Sequence, residues 1–116
     1  MSRVGILRFP GTNCDRDIWK SIELKGKTPE WIWHDDSFDP RAYDAYVVPG
    51  GFSYGDYLRS GALAAQSQAV QCLKEASALK KPIFGICNGF QILCEADLLP
   101  GALMRNESGR FIDQWV

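Results

Sequence analysis

The chain contains very little histidine and no cysteine pair with metal-binding spacing. His34 is its only histidine, and none of the four cysteines forms a Cys-x-x-Cys pair: Cys14, Cys72, Cys87, Cys94. This pattern argues against a zinc site, which needs four N or S ligands with close spacing. A disulfide framework is not expected either, because 46% of the residues are apolar and can build a core. Cys14, Cys72 and Cys94 are therefore predicted to be small buried or half-buried hydrophobes.

The chain also lacks a strong net charge and a long apolar run. Its 13 basic and 14 acidic residues are interspersed and give a net charge of -1, which argues against a nucleic-acid or anionic-membrane footprint. No apolar run is long enough to span a bilayer, and Val4 to Phe9 is too short for a signal peptide. We expect residues 1–116 to form a single domain in the cytoplasm.

Short apolar segments alternate with amphipathic ones along the chain. The predicted strands are Val4–Phe9, Pro29–Trp33, Ala45–Val48, Ile83–Ile86 and Phe111–Val116. The predicted helices start at Thr12 or Asn13 and end near Gly26, run from Gly61 to Lys80, and run from Asn88 to Ala96. This alternation predicts an α/β fold of three layers, with a mostly parallel sheet between helices. Functional residues in such sheets gather beyond the carboxyl ends of the strands.

Residues 82–91 have the pattern of a nucleophile elbow. Gly85 and Gly89 flank Cys87, an apolar strand precedes the motif and a helix follows it. Small neighbours permit the sharp turn that lifts the reactive side chain above the sheet. The helix would present its positive amino end to the sulfur, and the N–H of Asn88 to a developing oxyanion. Taken alone, Gly-x-Cys-x-Gly also fits a buried cysteine after a core strand.

Pro49-Gly50-Gly51-Phe52 breaks the preceding strand abruptly. Two glycines there would let the backbone N–H of Gly51 or Phe52 complete an oxyanion hole with that of Asn88. By itself the segment also fits an ordinary strand-ending turn. Gln91, on the first turn of the elbow helix, has the reach to bind a polar substrate, although its spacing also fits a surface glutamine.

Three further groups are interpreted as structural. His34 precedes two aspartates and is assigned to a solvated loop rather than to general-base catalysis. Residues 10–13, at a helix start, could bind an anion, but phosphate-loop and dinucleotide glycine patterns are absent, which favours a turn and cap. The remaining group is interpreted as core or interface: Trp19, Trp31, Trp33.

These motifs together resemble those of a known enzyme family. Residues 85–91, Gly-Ile-Cys-Asn-Gly-Phe-Gln, resemble the nucleophile motif of class I, triad-type glutamine amidotransferases, whose fold is flavodoxin-like. Residues 49–62 resemble more narrowly the glutaminase subunits of phosphoribosylformylglycinamidine synthases. Phe9–Asp15 and Leu98–Leu103 fit the same group. The resemblance extends over essentially the whole chain.

The resemblance implies a mechanism and a set of partners. Cys87 would attack the side-chain amide of L-glutamine, release ammonia and form a γ-glutamyl thioester that water hydrolyses. Gly50 and Gln91 would contact the substrate. The amides implied in the oxyanion hole are those of Gly51, Phe52 and Asn88. Ammonia would pass to a synthetase subunit in purine biosynthesis, which uses ATP and Mg, with a small bridging subunit as a further partner. No cofactor or metal is implied in this chain.

The chain departs from the family pattern in that family members continue well past the position of Val116. No histidine follows Cys87, and the family's catalytic His and Glu lie beyond the position matched by Val116. We therefore expect residues 1–116 to be the N-terminal part of the amidotransferase domain and to be nearly inactive alone. Two alternatives stay open: a non-catalytic module that only binds the synthetase, and another elbow-cysteine hydrolase or redox sensor.

Overall fold

A computed structural model describes residues 2–56, 61–104 and 107–108. The strands of this part of the chain are β1 (Arg3–Arg8), β2 (Thr28–Trp33), β3 (Ala45–Val48) and β4 (Ile83–Gly85). The α-helices are α1 (Asp15–Leu24), α2 (Gln68–Ala78) and α3 (Asn88–Glu95). Short 3-10 turns occupy Ser53–Asp56 and Ala64–Gln66. The predicted strand Phe111–Val116 falls outside the described residues.

The strands form a parallel sheet with the order β2-β1-β3-β4. Helix α1 packs against one face, where Ile18 and Ile22 share a groove with Val4 and Val47. Helices α2 and α3 cover the other face. This confirms the prediction of an α/β fold with a parallel sheet between helices. Because all four strands run the same way, the loops that follow their carboxyl ends meet at one edge of the sheet.

Most of the core lies between the sheet and helices α2 and α3. Apolar positions spaced three and four apart in α2 point inward, as expected for an amphipathic helix. The fully buried members of this cluster are Leu7, Val48, Ala64, Ala69, Val70, Leu73, Ala76 and Ile92. Tyr46 is 1% exposed in the same cluster, and its hydroxyl donates a hydrogen bond of 2.8 Å to the carbonyl of Pro40.

Helix α2 begins later than the helical pattern predicts. The prediction started the helix at Gly61, but the backbone at Ser67 is extended, with φ -67° and ψ 157°. The Ser67 hydroxyl accepts a hydrogen bond of 3.3 Å from the N–H of Val70 and caps the first turn. The preceding segment forms a 3-10 turn, because a residue with extended backbone cannot continue an α-helix.

The predicted cap of α1 was wrong. Cys14 is the N-cap residue and makes no side-chain capping bond. The Thr12 hydroxyl instead accepts a hydrogen bond of 2.9 Å from the N–H of Phe9, within the preceding turn. Asp15, in the first turn of α1, is buried and forms an ion pair of 2.8 Å with Arg8. Tertiary contacts thus replaced the local cap.

The cysteines follow the prediction in two of three structural cases. Cys72 and Cys94 are buried, as expected for small hydrophobes. Cys14 is exposed, and the prediction of its burial was wrong. The reason is its position at the amino end of α1, where the chain turns beyond the sheet rather than packing beneath it.

The tryptophan cluster joins helix α1, which carries Trp19, to strand β2, which carries Trp31 and Trp33, and it lies outside the buried core. Trp31 and Trp33 are 37% and 41% exposed, and the Trp19 and Trp31 ring centroids are 4.4 Å apart. The guanidinium of Arg8 lies over the Trp31 ring at 4.6 Å and over the Trp33 ring at 5.9 Å. Arg8 therefore covers part of this apolar edge while its charge pairs with Asp15.

Candidate functional site

Cys87 occupies a strained turn between β4 and α3. Its φ of 53° and ψ of -109° are unusual for a residue with a side chain. Its side chain is exposed, unlike those of Cys72 and Cys94. A conformation of this kind lifts the side chain above the end of the sheet, as a nucleophile elbow requires.

The two glycines that flank Cys87 are required by close backbone packing. A Cβ atom placed on Gly89 would lie 1.8 Å from the carbonyl oxygen of Val48. A Cβ on Gly85 would lie 2.6 Å from Leu93 Cδ1 and 3.0 Å from the carbonyl carbon of Gly89. The glycines thus let the start of α3 press directly against the end of β3. An ordinary buried cysteine after a core strand needs no such pair.

The loop that follows β3 lies beside the elbow. The N–H of Ile86 donates to the Val48 carbonyl at 3.0 Å, so pairing between these segments continues as far as the turn. A Cβ placed on Gly50 would lie 3.5 Å from Cys87 Cβ and 3.7 Å from Cys14 Sγ. Gly51 has a φ of 145°, a conformation that side chains disfavour. The structure therefore brings Gly50 next to the candidate nucleophile.

The N–H of Phe52 is engaged within the protein. It donates a hydrogen bond of 2.9 Å to the carbonyl oxygen of Gly11. The Phe52 side chain is 62% exposed. The sequence offers the N–H groups of Gly51 and Phe52 for an oxyanion hole. The Phe52 N–H would have to break its bond to Gly11 before it could bind an oxyanion.

The side chain of Asn88 links the elbow helix to the loop. It is 2% exposed, and its Oδ1 accepts a hydrogen bond of 3.0 Å from the N–H of Ser53. Its Nδ2 donates to Oε1 of Gln91 at 3.0 Å. The sequence pattern indicates a role only for the backbone amide of Asn88. The burial of the Asn88 side chain identifies this second role, and the sequence pattern gives no signal for that burial.

His34 and Cys87 follow different strands of the sheet. Its Nδ1 is hydrogen-bonded to the Tyr54 hydroxyl and lies 3.4 Å from a carboxylate oxygen of Asp35. Burial raises the pKa of Tyr54, and the Asp35 charge adds to this effect. His34 follows β2 and Cys87 follows β4, the two outer strands of the described sheet. The contacts described for the His34 ring are with Tyr54, Asp35 and Trp33, and none of them is with Cys87.

Residues 2–56, 61–104 and 107–108 contain no group of three or more His, Cys, Asp or Glu side chains able to hold a metal ion. No helix in this part of the chain is long and apolar enough to cross a membrane.

Comparison with known proteins gives a consistent family match. The profile of the CobB/CobQ-like glutamine amidotransferase domain matches residues 1–116. Phosphoribosylformylglycinamidine synthase subunit PurQ of Methanopyrus kandleri is 48% identical over 117 residues, which cover 100% of this chain and 51% of that protein. The subunit of the same name from Rhodospirillum rubrum is 54% identical over 108 residues, covering 92% of this chain and 47% of that protein.

The structural comparison agrees with the sequence comparison. A chain in the solved structure of PurLQS from Thermotoga maritima matches with a TM-score of 0.86 and 47% identity. The match covers 100% of this chain and 54% of that chain. The chain therefore spans about half the length of the relatives that it matches.

Proposed function

The chain belongs to the CobB/CobQ-like glutamine amidotransferase family, and on this premise we propose that it carries the nucleophile of the glutaminase component of a phosphoribosylformylglycinamidine synthase. The observation that carries the proposal is the strained backbone of Cys87, with φ 53°, directly beside the Gly50–Gly51 loop. The glutamine amidotransferase family match supports L-glutamine as the substrate, and the name of the relatives supports the assignment to phosphoribosylformylglycinamidine synthase, an enzyme of purine biosynthesis.

The proposed reaction begins with attack by the Cys87 sulfur on the side-chain amide carbon of glutamine. The tetrahedral intermediate expels ammonia once its nitrogen is protonated, and a γ-glutamyl thioester remains on the sulfur. Water then attacks the thioester, which restores the thiol and releases glutamate. No metal or cofactor has a role in this sequence of steps.

The oxyanion of each tetrahedral intermediate would be bound by backbone amides. We assign this role to the N–H groups of Gly51 and Asn88, on either side of the nucleophile. Phe52, the third candidate from the sequence, is assigned only an indirect part, because its N–H donates to Gly11. One well-placed donor of this kind accelerates acyl transfer about 10²- to 10³-fold.

Gly50 and Gln91 are proposed to contact the glutamine substrate. Gly50 lies against Cys87 and presents backbone rather than a side chain, which leaves room for the reacting amide. Gln91 is oriented by its hydrogen bond from Asn88. The side-chain amide N–H groups of Gln91 are suited to bind a carbonyl or carboxylate oxygen of the substrate.

The proton transfers need a base, and the described residues place no histidine against Cys87. His34, the only histidine of the sequence, follows β2 and is hydrogen-bonded to Tyr54. We therefore expect the chain alone to form the thioester from glutamine very slowly. Ammonia would be used by an ATP- and Mg-dependent synthetase subunit in the cytoplasm, with a small bridging subunit as an additional partner.

An activated aryl ester of the γ-carboxylate of L-glutamate tests this function without the missing base. Its phenolate leaves without a proton, so acylation depends on Cys87 and the oxyanion donors alone. We expect one acyl group per chain on Cys87, detected by mass spectrometry, and none in Cys87→Ala. Excess L-glutamine should slow the labelling, whereas D-glutamine should not.

Cys14 provides the matched control, because it is also exposed and also lies beside Gly50. Cys14→Ser should be acylated like the parent chain. Acylation that L-glutamine does not slow, or that is shared equally between Cys14 and Cys87, would contradict the proposal. A chain that binds a synthetase subunit but is never acylated would instead be a non-catalytic module.

A further inference from the structure

The turn between β1 and α1, residues Phe9–Cys14, contacts the loop after β3 through backbone hydrogen bonds. The two N–H groups that donate to the Gly50 carbonyl are those of Asn13 at 3.1 Å and Cys14 at 3.3 Å. In the opposite direction, the loop N–H groups of Phe52 and Tyr54 donate to the turn carbonyls of Gly11 at 2.9 Å and Pro10 at 2.6 Å. Four bonds thus join the two segments without any side chain.

These bonds set the orientation of one peptide group. Thr12 and Gly51 form an antiparallel bridge without bonding to each other directly. The flanking hydrogen bonds run from the Asn13 N–H to the Gly50 carbonyl and from the Phe52 N–H to the Gly11 carbonyl. The N–H groups of Thr12 and Gly51 therefore point away from each other. The carbonyl of Gly50 and the N–H of Gly51 also belong to one trans peptide and point in opposite directions. Since that carbonyl faces the turn, the N–H of Gly51 faces away from it.

The order of the strands in the sheet determines what lies on the side of the Gly50–Gly51 peptide that faces away from the turn. The turn follows β1, the loop follows β3, and Cys87 follows β4. Because β3 lies between β1 and β4, the direction away from the turn is the direction toward Cys87. The close approach of Gly50 to Cys87 Cβ agrees with this arrangement.

We propose that the turn Phe9–Cys14 is a positioning segment for the oxyanion hole: it holds the Gly50–Gly51 peptide so that the Gly51 N–H faces Cys87. This inference rests on the proposed glutaminase function. It gives a role to the Pro-Gly-Thr-Asn sequence, which on its pattern alone indicates only a turn. The turn acts through Gly51 and touches neither the substrate nor the reacting atoms.

Gly11 offers a specific way to disturb this contact. Its φ is 91°, and a Cβ placed on it would lie 2.0 Å from the carbonyl oxygen of Phe52. Gly11→Ala must therefore push the turn and the loop apart. Gly26 is a matched control, because its φ of 74° carries a similar backbone strain while a Cβ there would meet nothing within 4 Å.

The test compares two reactions of the same sulfur. Acylation by the glutamate aryl ester passes through an oxyanion, whereas alkylation by iodoacetamide is a direct displacement that forms none. We expect Gly11→Ala to slow acylation of Cys87 about 100-fold while its alkylation changes by less than about twofold. Gly26→Ala should leave both rates at the parental values. Peptide mass spectrometry follows Cys87 separately from the other cysteines.

A milder pair of variants keeps the test decisive if Gly11→Ala does not fold. Thr12 closes the turn with two hydrogen bonds to Phe9. Its N–H donates to the Phe9 carbonyl at 3.0 Å, and its hydroxyl accepts from the Phe9 N–H at 2.9 Å. Thr12→Val removes the hydroxyl and should slow acylation about tenfold, and Thr12→Ser should restore it.

Two outcomes overturn the inference. One is a folded Gly11→Ala or Thr12→Val chain that is acylated at the parental rate. The other is an equal loss of acylation and alkylation, which would indicate reduced access to the sulfur rather than a lost oxyanion donor. A parent chain that is never acylated would contradict the proposed function itself, and the positioning role with it.

Discussion

At the scale of single residues, the elbow depends on the absence of a side chain at Gly89. A Cβ there would lie 1.8 Å from a backbone carbonyl oxygen, which cannot move without distorting β3. Gly89→Ala should therefore lower the free energy of unfolding by about 3 kcal/mol, despite the better helix propensity of alanine. Urea unfolding followed by circular dichroism measures this difference.

Gly50→Ala is the control for that measurement. It adds the same methyl group near the same turn, but the nearest atoms are 3.5 Å away, an ordinary van der Waals distance. We expect its stability to stay within about 0.5 kcal/mol of the parent. Similar losses for both variants would show that the packing at Gly89 is not special.

The residue pattern predicted the sharp turn at Cys87 but not the hydrogen bonds around it. Cys87, with Gly85 and Gly89, was predicted as an elbow from spacing, and its backbone is in the expected strained state. The bond of the Phe52 N–H to Gly11 and the bond of the Asn88 side chain to Ser53 were not predictable. Each joins residues more than thirty positions apart, and local patterns carry no information on such partners.

At the scale of elements, α2 depends on a cap that also marks its true start. Ser67→Ala removes the hydroxyl that accepts from the Val70 N–H, and it should cost about 1 kcal/mol of stability. Ser67→Thr should recover most of this loss. Thermal or urea unfolding provides the measurement.

Ser21 is the matched control for the cap. It is an exposed serine within α1 whose hydroxyl donates to the Asp17 carbonyl of the same helix. Ser21→Ala should be neutral or slightly stabilising, because alanine has the higher helix propensity. If the two substitutions had the same effect, the capping role of Ser67 would be refuted.

The element predictions succeeded for the four described strands and for the start of α3, and they failed at the starts of α1 and α2. The four described strands agree with their predicted runs to within a residue at each end, because buried parallel strands are continuous apolar segments. The starts of α1 and α2 were misplaced. Thr12 and Asn13 were predicted as caps. Instead, the Thr12 hydroxyl accepts from the Phe9 N–H within the turn, and the Asn13 N–H donates to the Gly50 carbonyl.

At the scale of the whole molecule, the buried tyrosines should make the protein lose stability at alkaline pH. Burial raises the pKa of Tyr46 to about 12, and Tyr43 adds to the shift. The unfolded chain ionises near pH 10, so this contribution is complete below about pH 10 and is lost as the pH rises toward 12. When the pH rises from about 9 to about 11, the free energy of unfolding of Tyr46→Phe should fall by about 1.4 kcal/mol less than that of the parent.

The same variant should be about 1 kcal/mol less stable at neutral pH, because the hydroxyl of Tyr46 no longer donates to Pro40. Tyr43 and Tyr54 titrate in both proteins, so the comparison isolates Tyr46. Urea midpoints at a series of pH values supply the data. Parallel curves for the two proteins would mean that Tyr46 titrates normally in the folded state.

The sequence by itself determined the alternation of strands and helices, the strained position of Cys87 and the family to which the chain belongs. These properties follow from local patterns: apolar runs, glycines at fixed spacing and a helix that begins at once after the cysteine. The tertiary structure alone decided which loops meet. The order β2-β1-β3-β4 brings Gly50 and Gly51 between the turn Phe9–Cys14 and Cys87, and it leaves His34 after β2, an outer strand of the described sheet. Strand order is set by packing across the sheet, and periodicity along the chain does not encode it.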